Sequence, residues 1–152
     1  MFSREQASGL REEFWTTFGK YMSPVYSSEG MKISWINYHT GVKDVYFRMK
    51  AEKKTAVISI SIEHRDAGIQ ELYFEQFLEL KQLLHAALEE EWTWELHSQP
   101  DGKNISRIYK EISNVSVFNK DDWHELISFF KPRIIALDGF WEDAKYSFES
   151  LK

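Results

Sequence analysis

Two adjacent runs of alternating side chains constrain this chain more than any other feature. Val45, Phe47, Met49 and Ala51 alternate with Asp44, Tyr46, Arg48, Lys50 and Glu52. Ala56, Ile58, Ile60 and Ile62 then alternate with Val57, Ser59, Ser61 and Glu63. A period of two with β-branched enrichment is the signature of strands with one buried face. If Lys53-Lys54 is a two-residue turn, positions whose numbers sum to 107 lie opposite each other. Val45 then faces Ile62, Phe47 faces Ile60 and Met49 faces Ile58. A slip of one residue would set every apolar side chain against a polar one, so the pattern fixes the register. The turn chemistry is weaker, because Lys-Lys is a poor pair for a primed hairpin turn.

The rest of the chain supplies helices and a second hairpin. Ser3 and Gln6 form a capping box ahead of Ala7, Leu10, Phe14, Phe18 and Tyr21, which recur at helical spacing up to Ser23-Pro24. Lys32–Tyr38 reads as a further extended segment. Asp66 opens a long helix with the stripe Ile69, Leu72, Tyr73, Phe77, Leu80, Leu84 and Leu88. It should end near Glu89-Glu90-Glu91, where acids oppose the helix dipole and some contact must offset them. Trp92–His97 and Ile105–Ile112 flank Pro100-Asp101-Gly102, a strong turn signal, with Val115–Phe118 a possible extension. Asn119 caps a last helical region that Pro132 should kink or split. Lys131 and Arg133 are expected to face solvent or acids, and their joint removal to be nearly neutral.

The predicted order is α-β-β-β-α-β-β-α. It implies one α+β domain over residues 1–152, a mixed β-sheet of about five strands covered by helices. A chain of 152 residues with 16% aromatics can bury a real core. The absence of cysteine removes disulfides, thiolate metal sites and a cysteine nucleophile. A net charge of −5 disfavours a dedicated nucleic-acid binder. The charged N-terminus without an apolar run does not read as a signal peptide, and no stretch reaches membrane-spanning length, so the expected location is cytoplasmic with no membrane.

Motifs for chemistry are few. No glycine spacing suits a phosphate loop, no GxSxG is present, and His124-Glu125 fails to complete a zinc motif because position 128 is Ser128. His39, His85, His97 and His124 read as surface or core-edge residues. Trp92, Trp94, Trp123, Trp141 and Tyr146 read as core in preference to a stacking surface. One constellation remains: the register sets Asp44 opposite Glu63. Two facing carboxylates repel unless a metal, an arginine or a shared proton intervenes. The weak candidates for catalytic or metal-binding residues are therefore Asp44 and Glu63, with Arg65 beside them.

The element order with Asp44 and Glu63-His64-Arg65 resembles the PD-D/E-x-K nuclease superfamily, whose core is restriction-endonuclease-like. That resemblance implies magnesium held by Asp44 and Glu63, with Arg65 where the family has lysine. Arginine cannot readily lose a proton or act as a compact ammonium, so catalysis is not expected. A resemblance covering nearly the whole chain rests on Leu10-Arg-Glu-Glu-Phe-Trp15, Val45-Tyr-Phe-Arg48, Ile105-Ser-Arg-Ile-Tyr109 and Phe129-Phe-Lys-Pro-Arg-Ile-Ile135 with Asp138 and Phe140-Trp141. These segments resemble the bacterial family called domain of unknown function 4268. Membership implies a cytosolic protein, or the C-terminal part of a longer one, and supplies no catalytic residues.

The expected function is thus a non-enzymatic bacterial cytosolic interaction or regulatory module with a nuclease-like core, binding a protein partner or a second copy and needing no cofactor. The alternatives are a magnesium-dependent phosphodiesterase using Asp44 and Glu63, and a ligand-free structural homodimer.

Overall fold

The computed structural model describes residues 2–151. Helix α1 spans Arg4–Met22, and the capping box forms as the sequence predicts: Gln6 N–H donates to Ser3 Oγ at 3.1 Å and Ser3 N–H to Gln6 Oε1 at 2.8 Å. Strands β1 (Val45–Ala51) and β2 (Thr55–Ile62) pair antiparallel in the predicted register, Val45 with Ile62, Phe47 with Ile60 and Met49 with Ile58. Glu52 N–H donates to Thr55 O across Lys53-Lys54, so the two-residue turn forms although neither lysine has a positive φ.

Helices α2 (Ala67–Glu79) and α3 (Lys81–Leu88) lead to β3 (Thr93–Ser98) and β4 (Ile105–Ser113). A short 3₁₀ turn at Lys120–Asp122 precedes α4 (Trp123–Ala144), and a second 3₁₀ segment covers Lys145–Leu151. The four strands form one sheet in the order β1-β2-β4-β3, each neighbouring pair antiparallel. The long connection from β2 to β3 carries α2 and α3 across one face. Helices α1 and α4 cover the same face, and the core between the layers holds Phe14, Phe18, Ile58, Ile60, Ile62, Phe77, Ile108, Phe130, Trp141 and Phe148. Among the described residues no helix packs across the opposite face of the sheet, which Trp15 of α1 borders at one edge.

Several expectations need correction. The sheet has four strands and is antiparallel throughout, because Lys32–Tyr38 is not a strand, and the order is α-β-β-α-α-β-β-α. Ile33, Trp35 and Tyr38 owe their spacing to anchoring a loop. Trp35 is buried and its Nε1–H donates to Val25 O at 3.0 Å, while the Tyr38 hydroxyl donates to Asp138. Side chains tether this segment in place of a backbone ladder.

The helix after Asp66 is two helices. Leu80 (φ −96°, ψ 10°) ends α2 and starts α3. The buried face of α2 is Gln70, Tyr73, Phe74 and Phe77, whereas Ile69 and Leu72 are 36% and 42% exposed. A polar residue displaces an apolar one from the core because Gln70 finds four polar partners, described below.

Pro132 does not split the last helix, which runs continuously from Trp123 to Ala144 with Phe129, Phe130 and Ile134 buried. Packing on both flanks outweighs the missing N–H. Arg133 Nη1 also donates to Phe129 O at 2.9 Å, supplying a donor to a carbonyl of the disturbed turn. Arg133 faces an acid, as the sequence predicts: it grips Glu90 through Nε (2.8 Å) and Nη2 (3.0 Å). That pair, with Trp92 Nε1–H on Glu90 at 2.8 Å, is the contact that offsets the acidic helix end. Arg133 and Trp92 together hold the Glu90 carboxyl below its usual range against the opposing effect of burial.

Tyr146, placed with the core from its spacing, is exposed, while Trp92 and Trp141 are buried as expected. Val115–Phe118 is not a strand, yet Val117 N–H donates to Glu52 O at 3.0 Å, so it closes against the β1–β2 turn.

The polar face of the sheet as candidate functional site

Alternation that buries Val45, Phe47, Ile58, Ile60 and Ile62 sends the intervening side chains to the uncovered face. Two cross-strand rows result. One runs Tyr46, Ser61, Arg107, Glu95, and the next Arg48, Ser59, Tyr109, Thr93. Each arginine lies over a neighbouring tyrosine: Arg48 over Tyr46 at 4.3 Å and Arg107 over Tyr109 at 4.0 Å. Directly across the β3–β4 pair, Arg107 Nε meets Glu95 Oε1 at 2.8 Å, and the Tyr109 hydroxyl reaches Glu95 Oε2 at 3.3 Å. These are the opposite-charge and aromatic cross-strand pairs that stabilise a sheet.

The β3–β4 loop, residues 99–104, folds over this face. Gly102 sits at φ +80°, a conformation the Asp-Gly turn reserves for glycine. The loop is fastened to β1 and β2 by Lys103 Nζ on Glu63 Oε1 at 3.0 Å and Lys50 Nζ on Asp101 at 3.4 Å. A cleft of about 710 Å³ lies between loop and sheet, lined by Arg48, Ser59, Ser61, Glu63, Lys103 and Arg107 among others.

Glu63 is the centre of this arrangement. Its side chain is 7% exposed and accepts from Arg48 Nε and Nη2, from Ser61 Oγ at 2.7 Å and from Lys103 Nζ. Burial pushes its carboxyl up, but the bonds from Arg48, Ser61 and Lys103 prevail and bring it down to about 2. Glu63 is therefore a carboxylate with two counter-cations and a hydroxyl donor.

The other sequence candidates fall as follows. Asp44 is opposite Glu63 as the register requires, with Glu63 N–H donating to Asp44 O at 2.7 Å. Asp44 adopts φ 65°, a left-handed conformation that aspartate tolerates, and among the described residues its side chain forms no hydrogen bond. The arginine that relieves Glu63 is Arg48. Arg65 is exposed and without a hydrogen bond or ion pair among the described residues. His64 and Asp66 serve the next helix: Asp66 N–H donates to His64 Nδ1 and Ile69 N–H to Asp66 Oδ1, both at 3.0 Å. Among the described residues no three His, Asp or Glu side chains converge to hold a metal ion.

A second polar knot escapes sequence reasoning. Gln70 is fully buried; its Nε2 donates to His64 O (2.9 Å) and Asn104 O (3.1 Å), and its Oε1 accepts from Ser106 Oγ at 2.6 Å. His97 Nδ1 lies 3.2 Å from the same oxygen, at a β-bulge where His97 has φ 53°. Only the unusual demand for a buried glutamine partner could have signalled it, and that demand is set by the fold.

Fold and site together define an α+β domain with an antiparallel sheet, helices on one face and an open, internally charge-paired polar face. The chain belongs to the family described as a domain of unknown function, DUF4268, whose model matches residues 10–145. No curated protein and no solved structure matches it. No helix among the described residues is long and apolar enough to cross a membrane.

Proposed function

We propose that the chain is a non-enzymatic interaction module whose contact surface is the polar face of the sheet, and whose partner is another protein or a second copy. The observation behind this reading is the state of Glu63. A carboxylate that binds magnesium or activates water needs free lone pairs aimed at the ion. Glu63 instead accepts from Arg48, Ser61 and Lys103. Loading an ion there would strand Arg48 and Lys103 beside it.

Phosphate contacts are also disfavoured, since Arg48, Lys50, Lys103 and Arg107 each face a carboxylate that a nucleic acid would have to displace. Arginines stacked on tyrosines over a rigid sheet are instead the residue types enriched where proteins bind proteins. A bacterial, cytosolic setting is part of this proposal. A nuclease-like core, as part of the proposal, has only Asp44 and Glu63 to support it, since the segment expected to supply its third strand is a loop.

Magnesium titration followed by calorimetry tests this reading. The expected outcome is no saturable heat and no cleavage of DNA or RNA. Magnesium-dependent cleavage that disappears in Asp44→Ala would establish the phosphodiesterase reading in its place. Light scattering separates a second copy from a different protein partner.

A further inference from the structure

Residues 23–44 join α1 to β1 without a helix or strand. Ordered connections of this length in a compact domain are uncommon and are usually functional. This one is packed: Trp35 and Thr40 are buried, Tyr38 stacks on Phe47 at 5.0 Å, and Trp141 Nε1–H donates to Thr40 O at 2.6 Å. Between the loop and α4 lies a half-open cavity of about 280 Å³, lined by Tyr38, His39, Asp138, Trp141, Glu142 and Lys145 among others.

Asp138 is the unusual member of that lining. It is 5% exposed, and its oxygens accept from Ser28 N–H at 2.7 Å and from the Tyr38 hydroxyl at 2.5 Å. Both donors are neutral. The one lysine in the lining, Lys145, is 3.0 Å from Glu29, not at Asp138. Glu63, the other buried carboxylate among the described residues, has two cations on it, and buried charges are ordinarily paired. Each carboxylate oxygen retains a lone pair beyond the bond it accepts.

Charge around the cavity points the same way. Asp138, Glu29 and Glu142 carry three negative charges against one from Lys145, with His39 at the rim. All three acids act on Tyr38: burial first, then Asp138, Glu29 and Glu142, drive its hydroxyl far above the ordinary phenol range, so it stays a donor. The walls contributed by Tyr38 and Trp141 lower the local dielectric and strengthen the pull on a cation. A metal ion is the poorer fit, since no three acid or histidine side chains among the described residues converge on a point.

We propose that the cavity between residues 27–40 and α4 binds a small organic ammonium ion, with Asp138 as its counter-charge and Glu142 as its rim acid. The inference draws on Asp138 and Glu142, neither of which lines the cleft on the polar sheet face, although Asn37 borders both.

Titration with propylammonium, and with 1-propanol as the neutral control, tests it by two-dimensional NMR of the ¹⁵N-labelled protein. The Ser28 amide and Trp141 indole signals report on the site, because both groups hydrogen-bond to its walls. Saturable shifts of these two signals with the ammonium and not with the alcohol are expected. Asp138→Asn should weaken the response about ten-fold or more, equivalent to about 1.4 kcal/mol. Should Asp138→Asn fail to fold, Glu142→Gln serves: its side chain forms no hydrogen bond or ion pair among the described residues, so it should weaken binding several-fold with an unchanged melting midpoint. Absence of saturation in the wild type, an equal response to 1-propanol, or unchanged affinity in Glu142→Gln would overturn the proposal.

Discussion

Glu63 illustrates how one residue acquires its character from neighbours distant in sequence. Arg48 is on the paired strand and Lys103 on a loop forty residues later, and together they hold the Glu63 carboxyl at about 2, against its usual 4.5. A carboxyl depressed in the folded state stabilises the protein above its unfolded value, and that contribution drains away as pH falls through the folded one. Stability should therefore be lost between about pH 4.5 and pH 2. The contribution is about 2–3 kcal/mol: each tenfold change in proton affinity corresponds to about 1.4 kcal/mol, and the exposure of Arg48 and Lys103 discounts the total. Urea unfolding of Glu63→Gln at a series of pH values should show a flatter pH dependence in that window than the wild type. Equal slopes would mean the carboxylate is not engaged as the structure has it.

Between elements, the decisive contacts gather where α3 ends against α4. Glu89 closes α3 at φ 57°, and Glu90 then receives both arms of Arg133. Glu90 and Arg133 are each about one-fifth exposed, which puts this pair between a weak surface bridge and a buried one. Arg133 also serves the Phe129 carbonyl in the turn that Pro132 disturbs. Arg133→Ala should cost about 2 kcal/mol, since it leaves the Glu90 carboxylate without its charged donor and removes the added bond to the Phe129 carbonyl. Lys131→Ala, which gives up only a contact over the Tyr21 ring, should cost less than about 1 kcal/mol. Thermal unfolding of the two variants side by side checks the contrast, and equal losses would refute it.

At the scale of the whole molecule, Gln70 fastens the helical layer to one end of the sheet, where β2 leaves and β4 enters. One side chain bonds to the strand exit at His64, the loop at Asn104 and the strand residue Ser106. Gln70→Leu has nearly the right volume but takes the amide donor from two carbonyls and the acceptor from the Ser106 hydroxyl, which keeps its bond from His97 N–H. Each buried orphan costs about 1–3 kcal/mol, so a loss of about 3 kcal/mol or more in urea unfolding is expected. A loss below about 1 kcal/mol would mean that water replaces the amide there.

Local order is what the sequence by itself determined. The Val45–Ile62 register, the capping box at Ser3, the Asp-Gly hairpin and the burial of Phe47, Ile58 and Ile60 depend on neighbours a few positions away, whose periodicity is visible in a single chain. The position of Asp44 opposite Glu63 was legible for the same reason. Only the tertiary structure decided which cation answers Glu63, that Gln70 is core while Ile69 and Leu72 are not, that Lys32–Tyr38 is a tethered loop, and that α4 survives Pro132. In each of these, the free energy comes from groups far apart in sequence: Lys103 on Glu63, Asn104 on Gln70, Asp138 on Tyr38, Arg133 on Glu90. A buried polar side chain is stable only where its partners arrive, and that meeting is a property of the folded chain.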